Sequence, residues 1–233
     1  FIILAAISAG AVFILSRLSM PVSVEAAVDV APARHWRTVI TQPAYLTALF
    51  GAATGYGIMI LAMTATPLAM SHHAHSLSET SVVIQLHVLG MFLPSFFTGK
   101  LIERFGSIEI MLTGIMLFGC HIALALTGTG FYSFAGALIF VGLGWNFLYI
   151  GGTALVTTTF SAPEKGVAQA VNDMTIFAVG LACSLSAGAL LDWLGWEKLN
   201  ELLLPWLAVA ACALIWLAVR TGRLSEKRMT IRD

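Results

Sequence analysis

The fold class this sequence predicts is all-α, a polytopic membrane helix bundle with six complete spans and a seventh cut short. Three observations carry that expectation. First, 58% of the 233 residues are hydrophobic and only 10% are charged, whereas a soluble domain is nearer half apolar and about a quarter charged. Mean hydropathy is +0.89, so too few polar side chains remain to cover a water-facing surface. Second, apolar runs recur at or near the length of about 20 residues that a helix needs to cross a bilayer core. They are continuous rather than alternating, which excludes lipid-facing barrel strands. Backbone groups in lipid must be paired within the segment, and a helix does this. Third, the basic residues fall almost entirely on one side of the predicted topology.

In chain order, residues 1–16 read as a truncated span. The chain opens at Phe1 inside an apolar run, with no Met and no basic region before it. That is not a signal peptide, and it predicts the end of a helix that begins upstream. Residues 17–42 are polar, contain Pro21 and Pro32, and predict a long central loop between two halves of a larger protein. The bundle proper is 43–219, with spans at 43–70, 80–98, 108–127, 131–160, 167–191 and 202–219. Ser76 with Glu79, and Ser161 with Glu164, fit the S-x-x-E capping box that opens a helix. Ser107 is placed to cap the span that follows it, with Glu109 in the first turn where the helix dipole favours an anion. Pro94 predicts a kink in the span 80–98. Residues 220–233 form a charged tail.

With the loop 17–42 on the cytoplasmic side, the inside holds Arg17, Arg34, Arg37, Lys100, Arg104, Lys165, Arg220, Arg223, Lys227, Arg228 and Arg232, eleven of the twelve Lys and Arg residues. Only Lys198 falls outside. This is a strong positive-inside bias. It puts the C-terminus in the cytoplasm and makes the chain a multi-pass integral membrane protein.

Several classes are disfavoured. Net charge is zero, so there is no basic footprint for nucleic acid. Cys120, Cys183 and Cys212 are an odd, scattered set that suits neither a disulfide framework nor a zinc site. His72, His73 and His75 lie in an outer loop at a spacing that is a weak metal signal, so neither a metal nor another cofactor is expected. No H-E-x-x-H or G-x-S-x-G motif suggests an enzyme.

The stretch Gly99-Lys100-Leu101-Ile102-Glu103-Arg104-Phe105-Gly106 holds three charges in eight residues. Gly99 and Gly106 permit a tight helix–loop–helix, and Lys100 and Arg104 hold it on the cytoplasmic side. By chemistry alone it is either a topogenic turn or something more. Its pattern, G-x-x-x-[DE]-R-x-G between two membrane helices, resembles the signature loop of the major facilitator superfamily. Two further stretches agree. Gly144-Trp145-Asn146-Phe147-Leu148-Tyr149-Ile150-Gly151-Gly152 is similar to the family's tenth helix in a bacterial subgroup. Ser161 to Gly166, followed by Gln169-Ala170-Val171-Asn172-Asp173 and by Ser184 to Leu191, is similar to the entry into the eleventh helix and its continuation. One departure is that Glu103 stands where the family usually has Asp, and Ser107 and Ile108 stand where basic residues usually follow.

The resemblance implies a C-terminal half: the end of a sixth helix, the central loop, and helices seven to twelve. It implies alternating-access transport of a small solute, with a proton as one candidate coupling ion. The partners implied are the lipid bilayer and an N-terminal half not contained in this chain. The membrane implied is a bacterial inner membrane. The rival class is a seven-helix receptor, which the topology also fits. Against it, the last span lacks a mid-membrane lysine and no [DE]-R-Y sequence ends the third.

Site candidates follow. Gly142, Asn146, Tyr149 and Thr153 share one helix face, and an uncharged polar stripe in mid-membrane faces protein or a cavity. Asn146 and Tyr149 either line that cavity or hydrogen-bond between helices, a tie worth about 0.6 kcal/mol on average. Trp145 lies about 100° round the helix from Asn146. Tyr56 is the large polar side chain near the middle of its span, where Gly51, Ala52 and Gly55 favour close packing. Gln85 and His87 point to opposite sides. Gln85 is the lining candidate, and His87 is either a buried, hydrogen-bonded imidazole or a proton carrier. His121, on a helix the family places at the rim, is expected to be structural. Gly180, Ser184 and Gly188, extended by Asn172, form a small-residue row for close packing. The signature loop supplies Gly99, Glu103, Arg104 and Gly106 as gating candidates. Asp173 has three readings: a gate contact to the other half, a proton-coupling carboxylate, or a side chain bonded within its own bundle.

Overall fold

The computed structural model describes residues 2–17 and 33–222. Residues 18–32, with Pro21 and Pro32, and residues 223–233, with Arg223, Lys227, Arg228 and Arg232, lie outside the described residues. Helix α1 (Ile2–Arg17) forms a unit by itself and carries Arg17 in its last turn. The second unit starts at Ala33 and contains every other described helix. These are α2 (Trp36–Ile40), α3 (Pro43–His72), α4 (Leu77–Phe92), α5 (Ser95–Phe105), α6 (Ser107–Ala125), α7 (Phe131–Thr157), α8 (Lys165–Glu201) and α9 (Leu203–Arg220). No strand occurs among the described residues. Six helices are long and apolar enough to cross a membrane, with α4 and α5 together making one of them.

Two helices outlast the apolar runs that predicted them: α4 with α5, expected at 80–98, and α8, expected at 167–191. The span expected at 80–98 runs on as α5 through the charged stretch Lys100–Phe105, so Gly99 to Phe105 are helical. The tight loop expected there shrinks to Gly106, whose φ of 98° and ψ of 155° suit a residue without a side chain. Ser107 is accordingly the first residue of α6, not its cap: the N-cap position falls on Gly106, which has no side chain to cap with. The capping box of α4 forms as expected. Ser76 Oγ accepts from the Glu79 amide at 3.2 Å, and Glu79 Oε2 accepts from the Ser76 amide at 2.8 Å. The α4–α5 break falls at Leu93–Pro94, where proline cannot donate to the helix ladder. A second break sits inside α8 at Gly195, with φ 76°.

The most buried spans are α3 and α7. Helix α7 packs against α3, α4 and α6, and α3 packs also against α8 and α9. One face of α7 meets α4 through positions one turn apart. At Leu138 the backbone carbonyl accepts from His87 Nδ1 at 3.0 Å. At Gly142 an added Cβ would lie 2.6 Å from the His87 carbonyl oxygen and 2.8 Å from the Met91 amide, so only glycine allows this approach. Asn146 occupies the next turn. On the α6 side, His121 Nδ1 bonds the Ala137 carbonyl at 3.1 Å, so His121, like His87, is buried and bonded to α7. The packed stripe of α8 is Asn172, Ile176, Gly180, Cys183, Ala187 and Leu191. Of the expected small-residue row, Gly180 lies under the Tyr56 ring, whereas Ser184 is exposed.

Before α3, Arg34 is fastened to the α7–α8 connection. Its Nε and Nη2 donate to the two carboxylate oxygens of Glu164, each at 2.8 Å, and Nη2 also donates to the Thr159 carbonyl at 3.0 Å. The bidentate bond and the carboxylate's charge raise the Arg34 pKa above its ordinary value. Gln42 Nε2 reaches the same Thr159 carbonyl. The start of α3, the end of α7 and the start of α8 therefore share one end of the bundle.

Candidate functional site

The four expected lining residues separate in the structure. Asn146 has no exposed surface. Its Nδ2 donates to the Met91 carbonyl at 2.7 Å and to Ser95 Oγ at 2.6 Å, and its Oδ1 accepts from Thr98 Oγ1 at 2.6 Å. All three partners flank the α4–α5 break. The amide thus ties α7 to the point where the neighbouring ladder is interrupted. Gln85 is exposed on α4, and its side chain makes no hydrogen bond to a described residue.

Tyr56 and Tyr149 come together. Their ring centroids are 5.7 Å apart, and both rings are half-buried. They belong to a longer row. Trp145 stacks on Tyr149 at 5.1 Å with planes 12° apart. Phe92 meets Trp145 edge-on at 6.3 Å, and Phe177 meets Tyr56 edge-on at 5.7 Å. Both end members are 57% exposed. Tyr56 lies about 20 Å along α3, and Phe177 about 18 Å along α8, from the end marked by Arg34 and Glu164, at 1.5 Å per residue. Tyr149 lies about 12 Å from that end of α7. The row therefore crosses the middle of the spans and joins α4, α7, α3 and α8.

The row carries unpaired polar atoms. Trp145 Nε1 is buried with no hydrogen-bond partner among the described residues. Among the described residues, neither phenol hydroxyl of the Tyr56–Tyr149 pair finds a partner either. Buried donors are normally satisfied, and an orphan costs about 1–3 kcal/mol. The sequence reading missed Phe92 and Phe177 because an aromatic ring counts as apolar in any periodicity. The spacing of Trp145 and Tyr149, one turn apart on a helix, was the visible signal.

Asp173 is half-buried about 12 Å into α8. Its Oδ1 accepts from Gln169 Nε2 at 2.9 Å and from Asn172 Nδ2 at 3.0 Å. It makes no ion pair among the described residues. In the signature stretch, Gly99, Lys100, Glu103 and Arg104 are exposed, and Arg104 lies over the Phe105 ring at 5.2 Å. A Cβ at Gly99 would meet nothing within 4 Å. The two glycines should thus respond oppositely to alanine. Gly106→Ala is expected to cost about 1–2 kcal/mol, because its backbone conformation is essentially reserved for glycine. Gly99→Ala is expected to gain about 0.5–1 kcal/mol, as glycine to alanine does inside a helix. Melting temperatures of the two purified variants check this, and equal shifts would contradict the placement of the turn.

Between α3 and α4, His73 Nδ1 is bonded to the Ala69 carbonyl and His75 Nε2 to the Thr129 carbonyl, each at 2.8 Å.

The family model described as Major Facilitator Superfamily matches residues 47–231. The chain belongs to the Major Facilitator Superfamily. It is 42% identical over 188 residues to the riboflavin transporter RfnT of Brucella anthropi, which covers 81% of this chain and 47% of that protein. It is 35% identical over 147 residues to the uncharacterized MFS-type transporter YddS of Bacillus subtilis, 59% of this chain and 34% of the relative. A second Bacillus subtilis protein, the uncharacterized MFS-type transporter YdeG, is 35% identical over 134 residues, 56% of this chain and 31% of the relative. The chain thus spans about half the length of the first of these relatives and about a third of the others. No solved structure matches it. Family membership and the six spans make the chain a multi-pass membrane protein of a transporter family, which displaces the receptor alternative.

Proposed function

We propose that this chain is the C-terminal half of a secondary-active carrier that moves a small solute by alternating access. The observation that carries this reading is the family match over a six-helix unit whose mid-span surface is aromatic and polar where lipid would favour aliphatic side chains. In this reading Tyr56, Tyr149 and Gln85 face the solute path, and Asn146 braces the helices behind it. The exposed Gly99, Glu103 and Arg104 face the other half, and Gly106 makes the turn. Asp173 is the gate contact, its second carboxylate oxygen left for a cation of that half. The carrier sits in a bacterial inner membrane with its C-terminus in the cytoplasm, as the basic residues favour. The similarity to a protein named a riboflavin transporter makes riboflavin the first solute to test.

The experiment is uptake and efflux by the carrier with both halves, in proteoliposomes, over a solute panel, with and without a proton gradient. Saturable movement of one solute in wild type, with Asp173→Asn increasing cysteine accessibility from the cytoplasmic side, is the expected result. No movement of any solute would end the transport reading. Movement with unchanged accessibility in Asp173→Asn, but with pH dependence abolished, would make Asp173 the proton site instead.

A further inference from the structure

Resting on the transport reading, we infer that the row Phe92–Trp145–Tyr149–Tyr56–Phe177 is the solute-binding surface, and that its solute carries a flat, uncharged, conjugated ring with hydrogen-bond acceptors on its edge. Four aromatic contacts in sequence, between 5.1 and 6.3 Å, link four different helices. Core packing alone would bury all five rings. Here the two ends are largely exposed and the two tyrosines half-exposed, so an aromatic surface, covered only at Trp145, runs across the middle of the bundle.

The polar atoms on the row point to the same solute. Trp145 is 9% exposed and its indole N–H has no partner. An indole N–H only donates, and the atom is covered here, so a solute that reaches it as the row opens offers an acceptor, such as a ring nitrogen or a ring carbonyl. The Tyr56 and Tyr149 hydroxyls, free among the described residues, can donate or accept beside it. Gly180 keeps the surface in place. A Cβ there would fall 2.5 Å from the Tyr56 ring, so glycine at this turn of α8 is what lets Tyr56 lie flat against the helix and beside Tyr149.

Charge narrows the class. No Lys or Arg lies in any span near the row. An anionic solute would find no compensating cation from this chain. The ring is therefore neutral, and an ester phosphate on it is disfavoured.

The test uses riboflavin as probe, with the carrier containing both halves reconstituted in vesicles. Lumichrome, which is the ring without the sugar chain, is expected to compete with riboflavin uptake. Ribitol, the chain without the ring, is expected not to compete. The phosphate ester of riboflavin is expected to compete at least about tenfold more weakly. Tyr149→Leu is expected to raise KM about five- to tenfold, the loss of one stacked partner, and Tyr149→Phe to restore it. Trp145→Phe keeps an aromatic ring, though a smaller one, and removes the N–H, and should raise KM about threefold or more with membrane abundance unchanged. Quenching of tryptophan fluorescence by lumichrome, weakened in Trp145→Phe although the other five tryptophans of the chain remain, gives a readout independent of transport. Competition by ribitol equal to that by lumichrome would overturn the inference. So would an unchanged KM in a well-expressed Tyr149→Leu, or wild-type transport only of solutes with no conjugated ring. In each of these cases transport itself persists, so the carrier reading stands. Absence of all transport instead removes the reading on which the inference rests.

Discussion

Asn146→Ala in the whole carrier is expected to lower thermal stability by about 2–3 kcal/mol, and to reduce membrane abundance and transport in proportion. The side chain makes three hydrogen bonds to the α4–α5 break, at 2.7, 2.6 and 2.6 Å, with no exposed surface. Each interhelical bond in a membrane protein is worth about 0.6 kcal/mol on average. The variant also takes a donor from the buried Met91 carbonyl and an acceptor from the buried Thr98 hydroxyl, and a buried group left unsatisfied costs about 1–3 kcal/mol, whereas Ser95 is exposed and its hydroxyl still reaches the Met91 carbonyl at 3.5 Å. Thr98 retains a second acceptor at the Pro94 carbonyl, which trims the loss. Thermal melting in detergent, read beside surface abundance and initial uptake rate, checks the expectation. A variant with normal abundance and melting but little uptake would show that the amide meets the solute rather than the helix.

Much of the fold was legible in the sequence because its two strongest signals are local. An apolar run long enough to span a bilayer is visible without any knowledge of its neighbours, and so is a glycine- or proline-bounded connection. The errors came where a helix outlasts its apolar run. Lys100, Glu103 and Arg104 look like a loop by charge, yet α5 carries them as its last turns, because the exposed end of a span can be polar and still helical. The site was less legible because it is made by contact between helices. Gly142, Asn146, Tyr149 and Thr153 share a face of α7 in projection. Packing divides them: Gly142 and Asn146 are turned to α4, and Tyr149 to Tyr56 of α3. Periodicity gives a residue's direction on its own helix. It does not say which neighbour lies in that direction, so the choice between tie and lining for Asn146 had to wait for α4.

Gly142→Val is expected to be the more damaging change, with a loss of about 3 kcal/mol, at the upper end for overpacking, and little carrier reaching the membrane. A Cβ at this position would fall 2.6 Å from the His87 carbonyl oxygen, 2.8 Å from the Met91 amide and 2.9 Å from the Gly90 carbonyl carbon. These are backbone atoms, which no rotamer change can clear, so α4 as a whole must move off α7. One turn to one side lies the His87–Leu138 bond, and one turn to the other lies the Asn146–Met91 bond. A shift of α4 that admits a side chain at 142 stretches both. Two consequences separate this account from a local clash. Gly142→Ala should already destabilise, by about 1–3 kcal/mol, although glycine to alanine inside a helix ordinarily gains about 0.5–1 kcal/mol, as expected for Gly99. In the double variant Gly142→Ala with Asn146→Ala the losses should fall short of additive, because the first has already loosened the bonds that the second removes. A Gly142→Ala carrier as stable as wild type would mean that α4 and α7 stand further apart than the glycine allows. Strictly additive losses would mean that the clash stays local and the two ties are independent.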